Sequence, residues 1–465
     1  MINRLRIEGF KSWADTGSVY IAPLTGFFGA NSSGKTALLQ CILVLKQTIE
    51  SADRSRVLHT GDERTHVDLG TFYDIMHQHR LPGRISIALD WSLPSPLKIL
   101  DPEGAQDQTL FQVRELGFEA TIEGDIEGDM DVIAVDQFVY RFEQRGQQYR
   151  FGMLRKAGGS ASKPEYELIA EGYDIKRTRG RAWPLPAPVK SYGFPDQVNA
   201  YYQNAGFLSE FVLAFEELFR NIYYLGPLRE YPHRSYVWAG ERPQDVGRRG
   251  ELAVPAMLAA RKQGKVISRG QSRRRQTVEE RVADWLKELG MIESFDLKQI
   301  AETRKEYELS IRHSKGAPDV LITDVGFGVS QVLPVLVLCY FVPEGATIIL
   351  EQPEIHLHPT VQAGLADVFI DAIRRRKIQI VLESHSEHLL RRLQRRIAEE
   401  QLKADQTALY FTHMEEGVSR LEKLDVDLFG NIRNWPPGFF GDETADLVAM
   451  TEAEMRRRQN EGTAP

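Results

Sequence analysis

Apolar and polar residues are arranged along this chain in two ways. Predominantly apolar runs occur at residues 24–28, 346–350 and 378–382, and such runs are typical of strands buried on both faces of a parallel sheet. Between residues 85 and 154, short runs alternate apolar with polar side chains and are separated by glycine, proline and acidic turns. This alternation indicates an antiparallel meander, so the pattern predicts an α/β protein with an antiparallel region.

Helical periodicity and loop composition complete the predicted elements. The predicted helices are Thr36–Ser51, Asn204–Arg220, Val278–Leu289 and Gln331–Tyr340. The predicted loops are Asp68–Met76, the acidic turn Glu123–Asp131 and the basic stretch Gly264–Gln276. Gly158–Pro195 is rich in glycine, serine and proline, which predicts a flexible insertion or a domain boundary.

Composition narrows the classes of protein to consider. The chain has 465 residues, 42% of them apolar, and a net charge of −7, which suits about two to four globular domains and argues against a nonspecific polycation. No segment approaches the ~18 uninterrupted apolar residues of a membrane span, and the polar, strand-like N-terminus does not resemble a signal peptide. Cys41 and Cys339 lie in apolar runs, so we expect buried thiols of a cytoplasmic protein without a membrane partner.

The first chemical motif is Gly29-Ala-Asn-Ser-Ser-Gly-Lys-Thr36, which fits the phosphate-binding P-loop. A chance match in a Gly/Ser-rich loop is the alternative, but an apolar strand precedes the motif and a helix follows it. The loop would cradle the β-phosphate with its amides, Lys35 would reach the β- and γ-phosphates, and Thr36 would ligate Mg²⁺. The predicted nucleotide-binding residues here are Gly29, Asn31, Ser32, Ser33, Gly34, Lys35 and Thr36.

Two later apolar strands end in polar residues. Glu351 ends the strand at 346–350, where ligands bind in open α/β sheets, and is placed to hold the water shell of Mg²⁺. His385 follows the strand at 378–382 and is a candidate γ-phosphate sensor. A lone histidine is usually structural, but these elements occur in the order and spacing that a P-loop ATPase requires.

Together these motifs resemble the ABC-type ATPases of the SMC, RecF and OLD kind. The shared residues are Ile7–Ser12, Asn31 in the P-loop, Glu351–Glu354 as Walker B, His358-Pro359 as D-loop, Ser384–Ser386 as switch, and Gly326–Gln331 as signature. The resemblance covers residues 1–80 and 305–425. It implies that Gly328, Ser330 and Gln331 bind the γ-phosphate of ATP held by another subunit. Asp324–Pro334 and Trp435–Phe440 also resemble a bacterial subfamily related to ATPases of phage-defence operons.

This sequence departs from that family at several positions. Walker B ends in Glu351-Gln352 instead of Asp-Glu, which predicts slow hydrolysis because glutamine has no useful basicity. The competing hypothesis makes Glu351 or Glu354 the general base, helped by His385, so Gln352, Glu351, Glu354 and His385 are the candidate catalytic residues. The signature is not Leu-Ser-Gly-Gly-Gln, and Gln78 is a weak candidate for the Q-loop glutamine.

The predicted fold class is an α/β P-loop NTPase, an ABC-type head with a large mixed α/β insertion between Walker A and the signature. The predicted domains are an N-terminal lobe at 1–150, a middle region with a basic loop at 151–300, and a C-terminal lobe with a tail at 301–465. The insertion is the expected seat of specificity.

Two hypotheses for function follow from the resemblance. In the first, Mg²⁺ and ATP close a head-to-tail dimer that acts as a sensor or scaffold in antiviral defence and controls a separate effector such as a nuclease. In the second, the dimer clamps or scans DNA through basic clusters, which are otherwise solvated faces. These clusters are Arg269–Arg275, Arg374–Lys377 and Arg391–Arg396, with Arg229, Arg234, Arg248 and Arg249 as further candidates. No second set of catalytic residues is recognisable, so the first hypothesis is preferred. His356 and His358 could also form a metal site, but their match to the D-loop makes this the less favoured interpretation.

Overall fold

The computed structural model describes residues 1–102, 108–127, 130–156, 164–180, 183–268, 274–436, 439 and 443–461. Its strands are β1 (Ile2–Phe10), β2 (Trp13–Asp15), β3 (Val19–Tyr20), β4 (Leu24–Gly29), β5 (Gly83–Leu100), β6 (Thr109–Glu127), β7 (Met130–Gln144), β8 (Gln147–Arg155), β9 (Tyr166–Glu171), β10 (Ile222–Leu225), β11 (Tyr236–Val237), β12 (Val266–Ile267), β13 (Gln276–Thr277), β14 (Ser294–Gln299), β15 (Glu306–Arg312), β16 (Asp319–Leu321), β17 (Thr347–Glu351), β18 (Gln379–Glu383), β19 (Thr407–Glu415) and β20 (Val418–Lys423).

The helices connect and cover these strands. They are α1 (Lys35–Glu50), α2 (Phe72–Ile75), α3 (Gln197–Tyr201), α4 (Leu208–Arg220), α5 (Ala253–Lys262), α6 (Val278–Glu288), α7 (Phe327–Phe341), α8 (Pro359–Arg376), α9 (Glu387–Ala398) and α10 (Glu443–Glu461). Short 3-10 helices lie at His77–His79, Ile322–Asp324 and Ala404–Gln406. Within the described ranges, no helix is long and apolar enough to cross a membrane.

A six-stranded sheet in the order β10-β17-β18-β4-β19-β20 organises the fold. Its first five strands are parallel and β20 is antiparallel. Successive residues of β17 enter different apolar clusters, since Ile348 and Leu350 join one and Ile349 joins the other. The strand is therefore buried on both faces, as its apolar run predicts.

The predicted meander forms an eight-stranded sheet in the order β2-β1-β5-β6-β7-β8-β9, with β3 paired to β1. Its strands are longer than the short runs of alternating apolar and polar residues in the sequence. For example, β5 spans 18 residues and passes through register shifts. The prediction of a loop at 123–131 is wrong for its described residues, because β6 continues to Glu127 and β7 begins at Met130; residues 128–129 lie outside the described residues. Main-chain pairing carries the hairpin through this acidic stretch.

Other boundaries also differ from prediction. The stretch 158–195 contributes β9, which pairs with β8, although its residues 158–163 and 181–182 lie outside the described residues. The predicted loop at 68–76 contains α2, whose capping box joins Thr71 and Asp74. Helix α7 begins at Phe327, four residues earlier than predicted, so the signature segment lies within a helix.

The division into three domains stays a prediction, and β8 spans its first boundary at residue 150. The insertion is part of the same structure as the lobes around it. Its strand β10 joins the six-stranded sheet, and its helix α4 packs against α1. Cys41 and Cys339 are buried free thiols, as predicted. The largely parallel six-stranded sheet and the antiparallel eight-stranded sheet form the α/β architecture that the sequence predicts.

Candidate nucleotide-binding site

The P-loop follows β4 at the carboxyl edge of the six-stranded sheet. Ser32 and Gly34 have φ angles of 59° and 95°, which turn successive backbone amides inward. A Cβ at Gly29, whose φ is 140°, would lie 2.1 Å from the Thr412 carbonyl oxygen, so only glycine fits there. Helix α1 has no side-chain cap at its N-terminus, which leaves its first amides available to an anion.

Lys35 bridges the loop from the inside. Its Nζ donates to the carbonyl oxygens of Gly29 at 3.0 Å and Ala30 at 2.6 Å. Burial lowers the pKa of Lys35, and the charges of Glu383 and Glu354 oppose that shift. A phosphate would offer this ammonium a stronger acceptor than two neutral carbonyls.

The loop's three polar side chains are placed differently. The Ser33 hydroxyl is buried and shares a 2.6 Å hydrogen bond with the Thr412 hydroxyl, which holds the loop against β19. Asn31 and Ser32 are exposed at the rim. The geometry therefore separates a structural serine from two side chains that are free to face a ligand.

Two carboxylates meet at the ends of β17 and β18. Glu351 and Glu383 are register partners in the parallel pair, and Thr36 Oγ1 donates to Glu383 Oε2 at 2.7 Å. The Tyr224 hydroxyl donates to Glu351 Oε1 at 3.1 Å. Burial, together with the charge of Glu383, raises the pKa of Glu351 to about 7.

This hydroxyl and carboxylate set fits Mg²⁺, which prefers oxygen ligands and retains water and phosphate oxygens. Thr36, Glu351 and Glu383 would hold the ion or its water shell. Glu383 was not among the predicted metal residues, although its place at the end of the strand next to β17 was a usable signal. Within the described residues, no group of three or more His, Cys, Asp or Glu side chains is arranged to hold a metal.

Glu354 lies deeper than a surface acid and has one free oxygen. Its Oε1 accepts from the His385 backbone amide at 2.7 Å, the Ser384 hydroxyl lies beside the carboxylate, and Oε2 is buried without a well-aligned hydrogen bond from any described residue. Burial raises its pKa. The pKa of His385 is lowered by burial and then by the charge of Lys35.

Gln352 occupies a bend between these acids. Its φ is 44°, in the left-handed region, and its amide donates to the Glu383 carbonyl at 2.9 Å. The side chain is partly exposed. Gln352 therefore occupies the position of the wider family's candidate general base, and its backbone amide links β17 to β18.

Arg229 is the main residue of this site that sequence reasoning did not commit to. It follows β10 and is only 6% exposed, yet none of its three guanidinium nitrogens has a hydrogen-bond partner. Burial lowers its pKa to about 10, and the charges of Tyr224, Glu351 and Glu354 act against that shift. A buried guanidinium without a partner fits an anionic phosphate.

Lys11 and Gln78 occupy the edge of the site. Lys11 Nζ donates to Gln40 Oε1 at 2.7 Å, and its pKa is lowered by burial against the charge of Glu351. Gln78 is exposed with a φ of 57°. Lys11 is therefore a second cation near the Walker B acid, while Gln78 stays only a candidate.

The signature residues belong to a different surface. Ser330 donates to the Phe327 carbonyl at 2.7 Å, and Gln331 is 2% exposed with its Nε2 unpartnered. A Cβ at Gly328 would meet Met291 at 3.3 Å. The Phe327 ring is partly exposed and packs against Tyr231 and His356.

The structure thus brings the P-loop, Glu351, Glu354 and His385 together. Ser330 hydrogen-bonds within the signature segment instead, Gly328 faces Met291, and Gln331 is buried. His358 caps α8, with Nδ1 accepting from the Thr360 amide at 3.3 Å, which fits a structural role better than a metal ligand.

Comparison with protein families gives two matches. Residues 206–391 match the model described as "AAA domain, putative AbiEii toxin, Type IV TA system". The fold is that of a P-loop ATPase. Residues 402–450 of this chain match "Protein of unknown function (DUF3696)". A search of curated proteins finds no match.

Solved structures similar to this chain include heads of SMC proteins. An Smc head bound to the C-winged helix domain of ScpA is 11% identical, with a TM-score of 0.42, and covers 91% of this chain and 98% of its own. The SMC head of Thermotoga maritima is 12% identical, with a TM-score of 0.39, over 91% and 99% of the two chains. An Smc head with an extended coiled coil, bound to the C-terminal domain of ScpA derived from Pyrococcus furiosus, is 10% identical, with a TM-score of 0.39, over 91% and 96%.

Proposed function

We propose that this chain is a Mg²⁺-dependent ATPase that acts as a nucleotide-gated sensor or scaffold in bacterial antiviral defence. The observation that carries nucleotide binding is the guanidinium of Arg229, which is buried near Glu351 and Glu354 and has no hydrogen-bond partner among the described residues. The defence role is supported by the toxin–antitoxin description of the matching family. A cytoplasmic location and a separate effector, such as a nuclease, are part of the proposal.

Each group in the site has a distinct proposed task. The P-loop amides and Lys35 bind the phosphates, and Arg229 compensates negative charge on the terminal phosphate. Mg²⁺, held through Thr36 and the Glu351–Glu383 edge, would neutralise phosphate charge. His385 senses the terminal phosphate from the loop after β18.

We assign the general base to Glu354 rather than to the position of Gln352. Glu354 Oε1 is fixed by the His385 amide, and Oε2 is free to accept a proton from water. Glu351 is already engaged by Tyr224, and Gln352 has no basic atom. The raised pKa of Glu354 brings a carboxylate closer to the neutral range in which general bases work.

The DNA-clamp hypothesis has less support from the basic clusters. Arg392 and Arg396 are bound to Asp367, and Arg391 lies 4.4 Å from the Trp435 ring and pairs with Glu387. Arg274 pairs with Glu280, while Arg269 and Arg273 lie outside the described residues. Arginines that are already paired with acids contribute less to phosphate binding along a duplex than unpaired arginines do.

Removing Lys35 tests nucleotide binding. We expect Lys35→Ala to weaken ATP binding by at least ~10²-fold, since a charge-assisted contact to the phosphates is lost. Isothermal titration calorimetry with Mg-ATP measures the affinity, and Lys403→Ala, which changes an exposed lysine, is the control. ATP affinity equal to wild type in Lys35→Ala would refute the site.

A substitution at Gly326 tests gating by self-association. Gly326 is the N-cap of α7, and a Cβ there meets nothing within 4 Å, so aspartate and asparagine both fit as caps. If a second head presents its γ-phosphate to this helix end, Gly326→Asp should abolish ATP-strengthened association by charge repulsion, and Gly326→Asn should retain it. Sedimentation velocity with and without ATP measures the effect. Identical behaviour of the two variants would contradict nucleotide-driven closure.

A further inference from the structure

A second charged cavity lies apart from the nucleotide site, between α6, α8 and α9. Its volume is about 630 Å³, within the range of small-ligand sites. Five arginines line it and define what we call the arginine pocket: Arg281, Arg374, Arg375, Arg392 and Arg396. The acids in the lining are Glu288, Asp367 and Asp371, which leaves a formal charge of +2 from five cations and three anions.

The acids are shared between arginines. Asp367 binds Arg392 at 2.8 Å and Arg396 at 2.5 Å. Asp371 accepts from Arg281 at 2.9 Å, from Arg375, and from the Tyr340 hydroxyl at 2.7 Å. Glu399 lies outside the cavity and pairs with both Arg396 and Arg395. The charges of Glu399 and Arg395 cancel, so including both leaves the formal charge of +2 unchanged.

Two of the arginines retain free donors. Arg281 is 5% exposed and lies 4.6 Å from the Trp285 ring and 5.8 Å from the Tyr340 ring, which fixes its plane, and its Nε has no hydrogen-bond partner. Arg374 is exposed in the last turn of α8 and has no ion-pair partner among the described residues. The pocket therefore combines one rigid guanidinium with one adaptable guanidinium at its mouth.

We infer that the arginine pocket binds a small phosphate-bearing ligand of pyrophosphate or mononucleotide size. Guanidinium groups match phosphate oxygens in planar, bidentate pairs. The neighbouring arginines on the outside of α9, Arg391 and Arg395, are held by Glu387 and Glu399, so the unbalanced positive charge is confined to the cavity. A confined charge suits a small ligand better than an extended nucleic-acid strand.

The position of the pocket connects it to the nucleotide site. Helix α8 begins after the D-loop, and α9 begins after the loop that carries His385. Ser386 caps α9 and shares a 2.6 Å hydrogen bond with Gln362 of α8, so the two helices are joined at that end. A ligand that bridges Arg374 on α8 and Arg392 on α9 would join the two helices at a second place.

The test uses inorganic pyrophosphate and the Lys35→Ala chain, because the P-loop of that variant has lost its phosphate-facing charge. In magnesium-free calorimetry we expect one binding event that weakens at least tenfold in Arg374→Glu and in Arg392→Gln. The matched controls, Arg395→Glu and Arg391→Gln on α9, should remain within about twofold. Unchanged unfolding temperatures exclude loss of fold as the reason.

Absence of pyrophosphate binding, or equal weakening in the controls, would overturn the inference without affecting ATP binding by the wild-type chain. A second titration with AMP separates the sources of phosphate: tighter AMP binding supports a nucleotide, and weaker AMP binding supports an inorganic phosphate chain. A single-stranded 20-mer that binds tighter than both probes, and depends on Arg374 and Arg392, would identify nucleic acid and overturn the small-ligand inference.

Discussion

The nucleotide site and the arginine pocket both bury charged side chains, but they satisfy them differently. In the pocket, Asp367 and Asp371 each bind two arginines, and Arg281 lacks a partner only at Nε. In the nucleotide site, the whole guanidinium of Arg229 and one oxygen of Glu354 are buried without partners.

This difference separates a pocket whose buried charges are mostly paired with one another, with a net positive charge left for a ligand, from a site in which buried groups have no protein partner. An unsatisfied buried polar group destabilises a protein by about 1–3 kcal/mol, and more when it is charged. A fold that retains two such groups next to a P-loop retains them for what binds there. Breaking the most buried ion pair of the pocket, between Arg281 and Asp371, would instead destabilise the folded state.

Glu354→Gln gives the largest expected effect on the nucleotide side of the comparison. Glutamine keeps the acceptor for the His385 amide but has no basic oxygen, so we expect kcat to fall by ~10²–10⁴-fold while ATP still binds. Steady-state phosphate release measures turnover, and calorimetry measures affinity.

Gln352→Glu is the matched comparison, because it restores the residue type of the wider family. We expect it to change kcat by less than about threefold. If Gln352→Glu raises turnover and Glu354→Gln does little, the base acts from position 352 and the assignment to Glu354 is wrong.

The carboxyl edge of the sheet was predictable because local sequence specifies it. An apolar strand followed by Gly29–Thr36, and another followed by Glu351, predict their own positions at one edge without knowledge of any partner strand. The structure places both there, and the same reasoning extended to Glu383 would have added the acid that binds Thr36.

The contribution of the insertion was not predictable in the same way. Arg229 reaches the site because β10 pairs with β17 across more than a hundred residues of sequence, and a four-residue strand carries no signal for that pairing. The acidic hairpin at 123–131 was mispredicted because backbone pairing overrides the local preference of charged residues for loops. The start of α7 was missed because glycine-containing segments give weak helical periodicity.

Arg281→Met tests the arginine pocket, where most buried charges are paired. It removes one partner of Asp371 and leaves that carboxylate to Arg375 and the Tyr340 hydroxyl. We expect a loss of about 3 kcal/mol in the free energy of unfolding, near the low end for breaking a buried pair since two partners remain. Urea denaturation measures it, and an unchanged midpoint would show that the pocket's ion pairs do not support the fold.

Arg229→Met tests the nucleotide site, where buried groups lack partners. It should change the free energy of unfolding in the opposite direction to Arg281→Met. Methionine has a similar length and no charge, so it relieves the burial of an unsatisfied guanidinium, and we expect a gain of about 1–3 kcal/mol in the free energy of unfolding without nucleotide. The same variant should bind Mg-ATP about tenfold more weakly, because it loses the cation near Glu351 and Glu354 that would face phosphate. Urea denaturation and calorimetry on one preparation give both quantities. A variant that is less stable than wild type, with ATP affinity unchanged, would mean that Arg229 supports the fold like Arg281, and the contrast between the two regions would disappear.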